Sequence, residues 1–132
     1  MKAYNSELLL FALVGVAGFL VDAGIVFALT RSAMMGPIPA QVLAFAVAVT
    51  ATWLLNRRIT FAHRASPHFL REWLHYMAAN SAGAVITNGV YVLLVLSVAQ
   101  TAREPVLALA AGALTGLAFN FTASRAWVFR PR

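Results

Sequence analysis

Four long apolar segments divide this sequence, and they constrain its fold more than any other feature. They cover residues 8–29, 38–55, 76–98 and 105–121, and only the first contains a carboxylate, Asp22. Each is close to the ~20 residues that an α-helix needs to cross a hydrocarbon core. Because 61% of the 132 residues are hydrophobic, a soluble domain of this size has too little interior to bury them. The sequence predicts an all-α integral membrane protein, a single domain of four transmembrane helices.

The connections between the segments support these limits and indicate the orientation. Gly36-Pro37 and Pro39 interrupt a helix, and Pro105 suits the first turn of the fourth helix. Most of the arginines lie at the two termini and in the middle connection, which the positive-inside rule therefore places in the cytoplasm. Eight Lys and Arg residues lie there, against two elsewhere: Lys2, Arg57, Arg58, Arg64, Arg71, Arg125, Arg130 and Arg132, against Arg31 and Arg103. The first segment is longer than the ~7–15 apolar residues of a signal peptide, so we expect it to be retained.

The composition argues against several other classes of protein. The net charge is +6, but the arginines flank the apolar segments and do not share one periodic face, so we expect no nucleic-acid partner. The chain has no cysteine, and its three histidines lie around the middle connection without metal-ligand spacing. No catalytic constellation is visible. We therefore expect no metal, no cofactor and no enzymatic activity.

The two halves of the chain, residues 1–64 and 65–132, resemble each other at an offset of 68 residues. Asn56-Arg57-Arg58-Ile59-Thr60-Phe61 follows the second segment, and Ser124-Arg125-Ala126-Trp127-Val128-Phe129 follows the fourth. Each half contains two spans, so both halves enter the membrane from the same face. This predicts parallel repeats related by an axis along the membrane normal. The matching pairs are Arg57 with Arg125, Phe61 with Phe129, and Gly15 with Gly83.

The middle connection has a helical pattern of its own. Ser66 can cap a helix that has Pro67 at its first position. One face of this helix is apolar, and Glu72 lies on the remaining polar surface with Arg71 and His75. The pattern predicts a short interfacial helix that leads into the third span, and an ordinary connector is the alternative. The apolar face comprises Phe69, Leu70, Trp73 and Leu74.

Polar residues inside the spans form the first candidate site. Asp22 lies about 21 Å from the cytoplasmic edge and Asn88 about 18 Å, measured along their helices. A carboxylate at this depth is costly unless it is paired, protonated or exposed to water. We predict an intramembrane polar site of Asp22, Asn88 and Asn80, in which Asp22 and Asn88 hydrogen-bond or line one cavity. The alternative is that Asp22 only fixes helix packing.

The cytoplasmic helix ends form the second candidate site. The guanidinium group suits phosphate oxygens, and an aromatic ring at headgroup depth can stack on a sugar or border a lipid tail. The alternative is that the arginines only anchor the spans and the tryptophans form an aromatic belt. The residues of this predicted lipid-phosphate and sugar site are Arg57, Arg58, Arg125, Asn56, Asn120 and Trp127.

These motifs together resemble the GtrA-like family over essentially the whole chain. The resemblance rests on Phe11-Ala12-Leu13-Val14-Gly15 followed by Asp22, on the motif at 56–61, and on Asn120-Phe121 with the motif at 124–130. It implies a bacterial inner-membrane protein that moves a polyprenyl-phosphate-linked sugar to the outer leaflet for surface polysaccharide synthesis. It also implies a membrane glycosyltransferase as a possible partner. Ser124 and Ala126 depart from the first repeat, so only Arg125 carries over to the second.

Two other functions fit part of the pattern. A non-transporting membrane adaptor for a glycosyltransferase would need a binding surface and no cavity. A small proton-coupled multidrug exporter would also have four spans and an acidic residue in the first, but the cytoplasmic arginines do not suit cationic drugs. Gly112 and Gly116, one turn apart, permit close helix packing within the chain or between copies. Four spans leave little room for a translocation path, so we expect a homo-oligomer.

Overall fold

The computed structural model describes residues 2–131, and these residues are helical apart from short connections. Four helices are long and apolar enough to cross a membrane, which confirms the four-span, all-α prediction. The described part of the chain contains no β-strand. The α-helices are α1 (Lys2–Arg31), α2 (Pro37–Leu55), α3 (Phe69–Ser97), α4 (Ala99–Arg103) and α5 (Pro105–Ala123).

The helices begin and end where proline and polar residues dictate. Pro37 and Pro105 each open a helix, because the missing N–H of a first-turn proline has no intrahelical partner to lose. The helix α1 extends beyond the apolar segment at both ends, since neither glycine nor proline occurs in residues 2–7 or 30–31. The short helix α4 fills the connection after α3.

The middle connection differs from its prediction in two respects. The helix begins at Phe69 and not at Pro67, and it continues without a break through the third span, because no glycine or proline separates the two parts. Ser66 Oγ accepts a hydrogen bond from the backbone N–H of His68 at 3.1 Å, so it closes a turn before the helix. Glu72 is also not on a polar surface, since it is 2% exposed.

Two π-helical turns stand at equivalent positions in the two halves. Asn56–Thr60 follows α2 and Ser124–Val128 follows α5, which is 68 residues later. The residue after each turn, Phe61 or Phe129, donates its backbone N–H to the first carbonyl of the turn, at 2.8 and 2.7 Å. Both phenylalanine side chains are fully buried. The local structure therefore repeats at the offset found in the sequence, and π-helical turns in proteins often accompany functional sites.

The described chain divides into two compact units, which are considered separately. The first unit comprises residues 2–73, in which α1 and α2 pack as an antiparallel hairpin. The rings of Phe11 and Phe61 lie 6.2 Å apart near one end of this hairpin. A Cβ atom added at Gly18 would fall 2.4 Å from Thr52 Cγ2, so this glycine lets the two helices approach.

The second unit comprises residues Leu74–Pro131, with most of α3 and all of α5. Thr87 of α3 lies directly against Gly112 and Gly116 of α5, where added Cβ atoms would meet it at 2.6 and 1.9 Å. The predicted glycine pair therefore serves packing within this unit. Gly83 lies against Asn120 in the same way. The cytoplasmic placement of the termini and the parallel arrangement of the halves stay predictions.

Candidate functional site

Each unit has a basic end, defined as residues 56–72 in the first unit and residues 124–130 together with His75 in the second. Each basic end contains a π-helical turn with an arginine at its second position, Arg57 or Arg125. The predicted lipid-phosphate residues divide between these two ends. The contacts that hold each basic end lie within its own unit.

Glu72 is the centre of a buried hydrogen-bond cluster at the basic end of the first unit. Its Oε1 accepts hydrogen bonds from Trp53 Nε1 at 3.0 Å and from Arg57 Nη1 at 2.5 Å. Its Oε2 accepts one from the backbone N–H of Ser66 at 2.5 Å. Three donors thus satisfy a carboxylate whose side chain is 0% exposed. The cluster joins the end of α2, the middle connection and the first turn of α3.

The guanidinium of Arg57 is held from a second side by an aromatic ring. Its Cζ lies 4.2 Å from the centroid of the Phe69 ring, and the Trp53 ring meets the same ring edge-on at 6.5 Å. The Arg57 side chain is 14% exposed, and its charge is balanced by Glu72. Its predicted contact with a lipid phosphate stays a prediction, and it has to use N–H groups that Glu72 leaves unoccupied.

A second acidic residue pairs with a further arginine and contacts a histidine at the same end. The carboxylate of Glu7 lies 3.6 Å from Arg64 and 3.5 Å from His63, and Glu7 is buried. This contact ties the start of α1 to the short 3-10 turn Ala62–Arg64. Part of the positive charge of the middle connection is therefore neutralised by ion pairs within the protein.

Arg58 differs from its neighbour Arg57. It is exposed, and within residues 2–131 it has no hydrogen bond or ion pair. The next residue, Ile59, is 51% exposed. Among the predicted residues of the first unit, Arg58 is the cation best placed to meet an external anion, with an apolar side chain beside it.

Asn56 lies inside the protein, and its predicted contact with a lipid phosphate or sugar stays a prediction. It is 1% exposed, and its Oδ1 accepts a hydrogen bond from Thr60 Oγ1 at 2.8 Å. This bond spans the π-helical turn from its first to its last residue. The observed role of Asn56 is to fix the turn that presents the two arginines.

An open groove lies at the start of α3. Its volume is about 460 Å³, and it is lined by His68, Phe69, Leu70 and Arg71. Phe69 forms one wall of this groove and also stacks under Arg57. The groove thus combines a guanidinium, an imidazole and two apolar side chains, a mixture that suits a phosphate attached to a hydrocarbon chain.

The basic end of the second unit carries a stacked pair of rings. His75 and Trp127 lie 4.6 Å apart with an interplanar angle of 19°, and Trp127 is 45% exposed. The predicted residue Trp127 therefore presents a supported aromatic surface. Arg125 is half-buried in the same turn, two residues earlier. The next ring contact, between Tyr76 and Phe129 at 6.1 Å, fixes the turn to α3.

Asn120 and Ser124 are polar but poorly satisfied. Asn120 Oδ1 and Ser124 Oγ are buried, and neither has a hydrogen-bond partner among the described residues. A Cβ atom at Gly83 would fall 1.8 Å from Asn120 Oδ1, so the amide occupies the space that this glycine leaves. The Oδ1 atom of Asn120 is thus buried while the residue as a whole is half-buried, and its place in a lipid-phosphate site stays a prediction.

The intramembrane carboxylate has a partner that the sequence did not indicate. Gln41 Nε2 donates to both carboxylate oxygens of Asp22, at 3.1 and 3.3 Å, across α1 and α2. The other two predicted members bond within their own helix. Asn80 donates to the carbonyl of Tyr76 and Asn88 to that of Ala84, at 2.9 and 2.8 Å.

Sequence reasoning missed Gln41, Glu7, the stacked His75 and the buried position of Glu72. Most of their partners are 19 or more residues away, and the exceptions are Arg57 and Ser66, which are 15 and 6 residues from Glu72. Only the presence of acidic residues beside a basic cluster could have signalled the two ion pairs. Among the described residues no three His, Asp or Glu side chains converge as a possible metal site.

Four membrane-length helices and two arginine-bearing turns define a multi-pass membrane protein with a repeated basic end. The family described as GtrA/DPMS, transmembrane domain, matches residues 10–129, so this chain belongs to that family. It is also similar to the uncharacterized membrane protein YngA of Bacillus subtilis (strain 168). The two are 26% identical over 119 residues, which cover 90% of this chain and 76% of that protein.

Proposed function

We propose that this protein moves a polyprenyl-phosphate-linked sugar from the cytoplasmic to the outer leaflet of a bacterial inner membrane. In this proposal it transports its substrate and catalyses no covalent reaction, and it supplies a membrane glycosyltransferase of surface polysaccharide synthesis. The membership in the GtrA/DPMS family supports the substrate class, in line with the resemblance noted in the sequence. The working unit in this proposal is a homo-oligomer, because four spans leave little room for a path.

The single observation that carries the proposal is that Arg58 is exposed and has no ion-pair partner among the described residues. Glu72 and Glu7 pair with Arg57 and Arg64, whereas Arg58 stays exposed without a partner among the described residues. An unpaired guanidinium can bind phosphate oxygens by two parallel N–H donors. The adjacent exposed Ile59 is compatible with a hydrocarbon chain. An anion with an apolar tail satisfies both residues.

The aromatic surface of the second unit supports the sugar part of the proposal. The ring of Trp127 is backed by His75 and is 45% exposed. Aromatic faces at headgroup depth stack well on the apolar face of a pyranose. In the sequence offset, Trp127 corresponds to Ile59, so both basic ends present an exposed apolar side chain two residues after an arginine.

The decisive experiment is reconstitution of the purified protein into liposomes that contain a fluorescent polyprenyl-phosphate hexose. Dithionite added outside bleaches only the outer leaflet, so the bleached fraction reports leaflet exchange. We expect exchange to rise with the protein-to-lipid ratio and to fall in the Arg58→Ala variant. The matched control is Arg103→Ala, which removes an exposed arginine from another connection.

Exchange that is independent of the protein would overturn the transport proposal and favour the adaptor function. In that case co-purification with a membrane glycosyltransferase is the measurement to make. Proton-dependent uptake of a cationic dye, lost in an Asp22→Asn variant, would instead favour a small multidrug exporter.

A further inference from the structure

The Asp22–Gln41 pair lies near the end of the first unit that is remote from its basic end. Gln41 is four residues after the start of α2, a rise of about 6 Å. Asp22 is nine residues before the end of α1, about 13 Å along the helix. From Phe11, which packs on Phe61 at the basic end, Asp22 is about 16 Å away along α1. A single bound headgroup cannot touch both Asp22 and Arg58.

Within residues 2–131 this pair stays accessible from outside the protein. Asp22 is half-buried and Gln41 is exposed, and their hydrogen bonds are exposed too. One amide donor does not compensate a carboxylate for the loss of water in a bilayer. The group that covers the pair must therefore be polar.

The donors and acceptors that Asp22 and Gln41 leave unused indicate what kind of polar group covers the pair. A single Gln41 nitrogen serves both Asp22 oxygens, which leaves further lone pairs on the carboxylate. The Gln41 side-chain carbonyl adds one more acceptor, and its amide nitrogen has a second hydrogen. Acceptors thus outnumber donors, and a ligand must contribute groups that donate hydrogen bonds as well as accept them. Neighbouring hydroxyl groups of a sugar do both, whereas a phosphate offers only acceptors at neutral pH.

The second unit offers a natural comparison. At the offset of 68 residues Asp22 corresponds to Val90 and Gln41 to Leu109. The polar pair therefore exists in the first unit only, although the helices α2 and α5 have equal lengths. A packing role alone does not require polar side chains, and the second unit has apolar residues, Val90 and Leu109, at the equivalent positions.

We propose that Asp22 and Gln41 form a sugar-hydroxyl site at the outer end of the first unit, which the headgroup of the lipid-linked sugar occupies after it leaves the basic end. This inference rests on the proposed function for the identity of the ligand. The sugar hydroxyls donate to the Asp22 carboxylate and to the Gln41 carbonyl, and they accept from the free Gln41 N–H.

A labelling experiment tests the site without requiring transport. The chain has no cysteine, so Ile38→Cys introduces a single thiol one turn before Gln41, at a residue that is 79% exposed. Val106→Cys is the matched control, because Val106 is the counterpart of Ile38 in the second unit and is 66% exposed. The rate of maleimide labelling is measured in proteoliposomes with a polyprenyl-phosphate hexose, with the bare polyprenyl phosphate, or with neither.

We expect the hexose lipid to slow labelling of Ile38→Cys several-fold, and the bare lipid to leave the rate unchanged. Labelling of Val106→Cys should not respond to either lipid. Adding Asp22→Asn or Gln41→Ala to the Ile38→Cys protein should abolish the protection. Two variants are used so that a folding defect in one does not decide the result.

Leaflet exchange provides the second readout. Asp22→Asn should lower exchange of the hexose lipid about tenfold, the factor expected when a hydrogen bond to a charged group is lost. Exchange of bare polyprenyl phosphate should stay within about twofold of the unmodified protein, the difference that ~0.4 kcal/mol makes. Arg58→Ala should lower exchange of both lipids.

The outcomes separate the two proposals. Protection by both lipids alike, or protection that survives Asp22→Asn and Gln41→Ala, overturns the sugar-hydroxyl site. Exchange of both lipids without any protection of Ile38→Cys leaves transport in place and overturns the site. Protection by the hexose lipid alone, with no exchange of either lipid, supports the site and overturns transport.

Discussion

Arg57 Nη1 lies 2.5 Å from Glu72 Oε1, and this ion pair joins the π-helical turn after α2 to the first turn of α3. The contact gives Arg57 a structural role, whereas the adjacent Arg58 stays exposed. Arg57 and Arg58 therefore have different expected effects on stability and on ligand binding, although they are neighbours of the same residue type.

Removing Glu72 should destabilise the protein strongly. In Glu72→Ala the guanidinium of Arg57, the Trp53 N–H and the Ser66 N–H lose their common acceptor. Leaving one partner of a buried ion pair uncompensated costs about 3 kcal/mol. Unfolding in mixed detergent, followed by circular dichroism, measures the change. Glu104→Ala, at an exposed acidic residue, is the matched control and should change stability little. Equal effects of the two substitutions would contradict the cluster.

A double variant isolates the pair itself. Glu72→Ala with Arg57→Ala should be less destabilised than the sum of the two single variants, because the unpaired charge is removed. Strict additivity would mean that the two side chains do not interact.

Arg58→Ala should weaken ligand binding without loss of stability. The affinity for bare polyprenyl phosphate in nanodiscs should fall about tenfold, as expected for loss of a charge-assisted hydrogen bond. Stability should change by less than about 0.5 kcal/mol, since the side chain is exposed. Arg103→Ala should affect neither quantity. An unchanged affinity in Arg58→Ala would remove this residue from the site.

Gly83→Ala should destabilise the second unit, whereas Gly15→Ala should not. A methyl group at Gly83 would lie 1.8 Å from Asn120 Oδ1, but no atom of the described residues lies within 4 Å of one at Gly15. Overpacking of this kind costs about 2 kcal/mol when the neighbour has to move. The two glycines correspond at the repeat offset, so they form a matched pair, and the same unfolding measurement applies.

Asn120→Ala should restore stability in the Gly83→Ala background, because it removes the atom that the new methyl group meets. Failure of this rescue would show that Gly83 is needed for another reason.

Ser124→Ala should leave stability unchanged or raise it by up to about 1 kcal/mol, since the buried hydroxyl has no hydrogen-bond partner within residues 2–131. Its counterpart Asn56→Ala should destabilise the protein by about 1–2 kcal/mol, because Thr60 then loses its acceptor. Thermal unfolding of both variants in one detergent gives the comparison. Marked loss of stability in Ser124→Ala would indicate that this hydroxyl is satisfied in the membrane.

Much of the fold could be predicted because it depends on properties that are local in sequence. The apolar segments gave the four spans, and Pro37 and Pro105 marked where two of them begin. The repeated motif also located both π-helical turns, although it could not reveal their π-helical geometry. The predicted start of α3 was wrong by two residues. Ser66-Pro67 is typical of a helix N-terminus, but the Ser66 hydroxyl instead accepts a hydrogen bond from the backbone N–H of His68 and closes a turn before the helix.

The candidate site was predicted only in its residue types and general position. Asp22 was identified as costly in lipid, but its partner Gln41 is 19 residues away on another helix. Asn56 and Asn120 are typical polar binding residues by type, yet one is tied to Thr60 and the other packs on Gly83. Such assignments depend on the register of one helix against another, which no local pattern encodes.

The sequence by itself determined the four spans, their repeated ends and the arginine-rich connections, because hydrophobic length and charge act residue by residue. The tertiary structure decided which charged side chains are paired inside the protein. Helix packing places Glu72 under Arg57 and Gln41 beside Asp22, and it leaves Arg58 unpaired among the described residues. The physical reason is that a buried ion pair requires two side chains from distant segments to meet within a few ångströms.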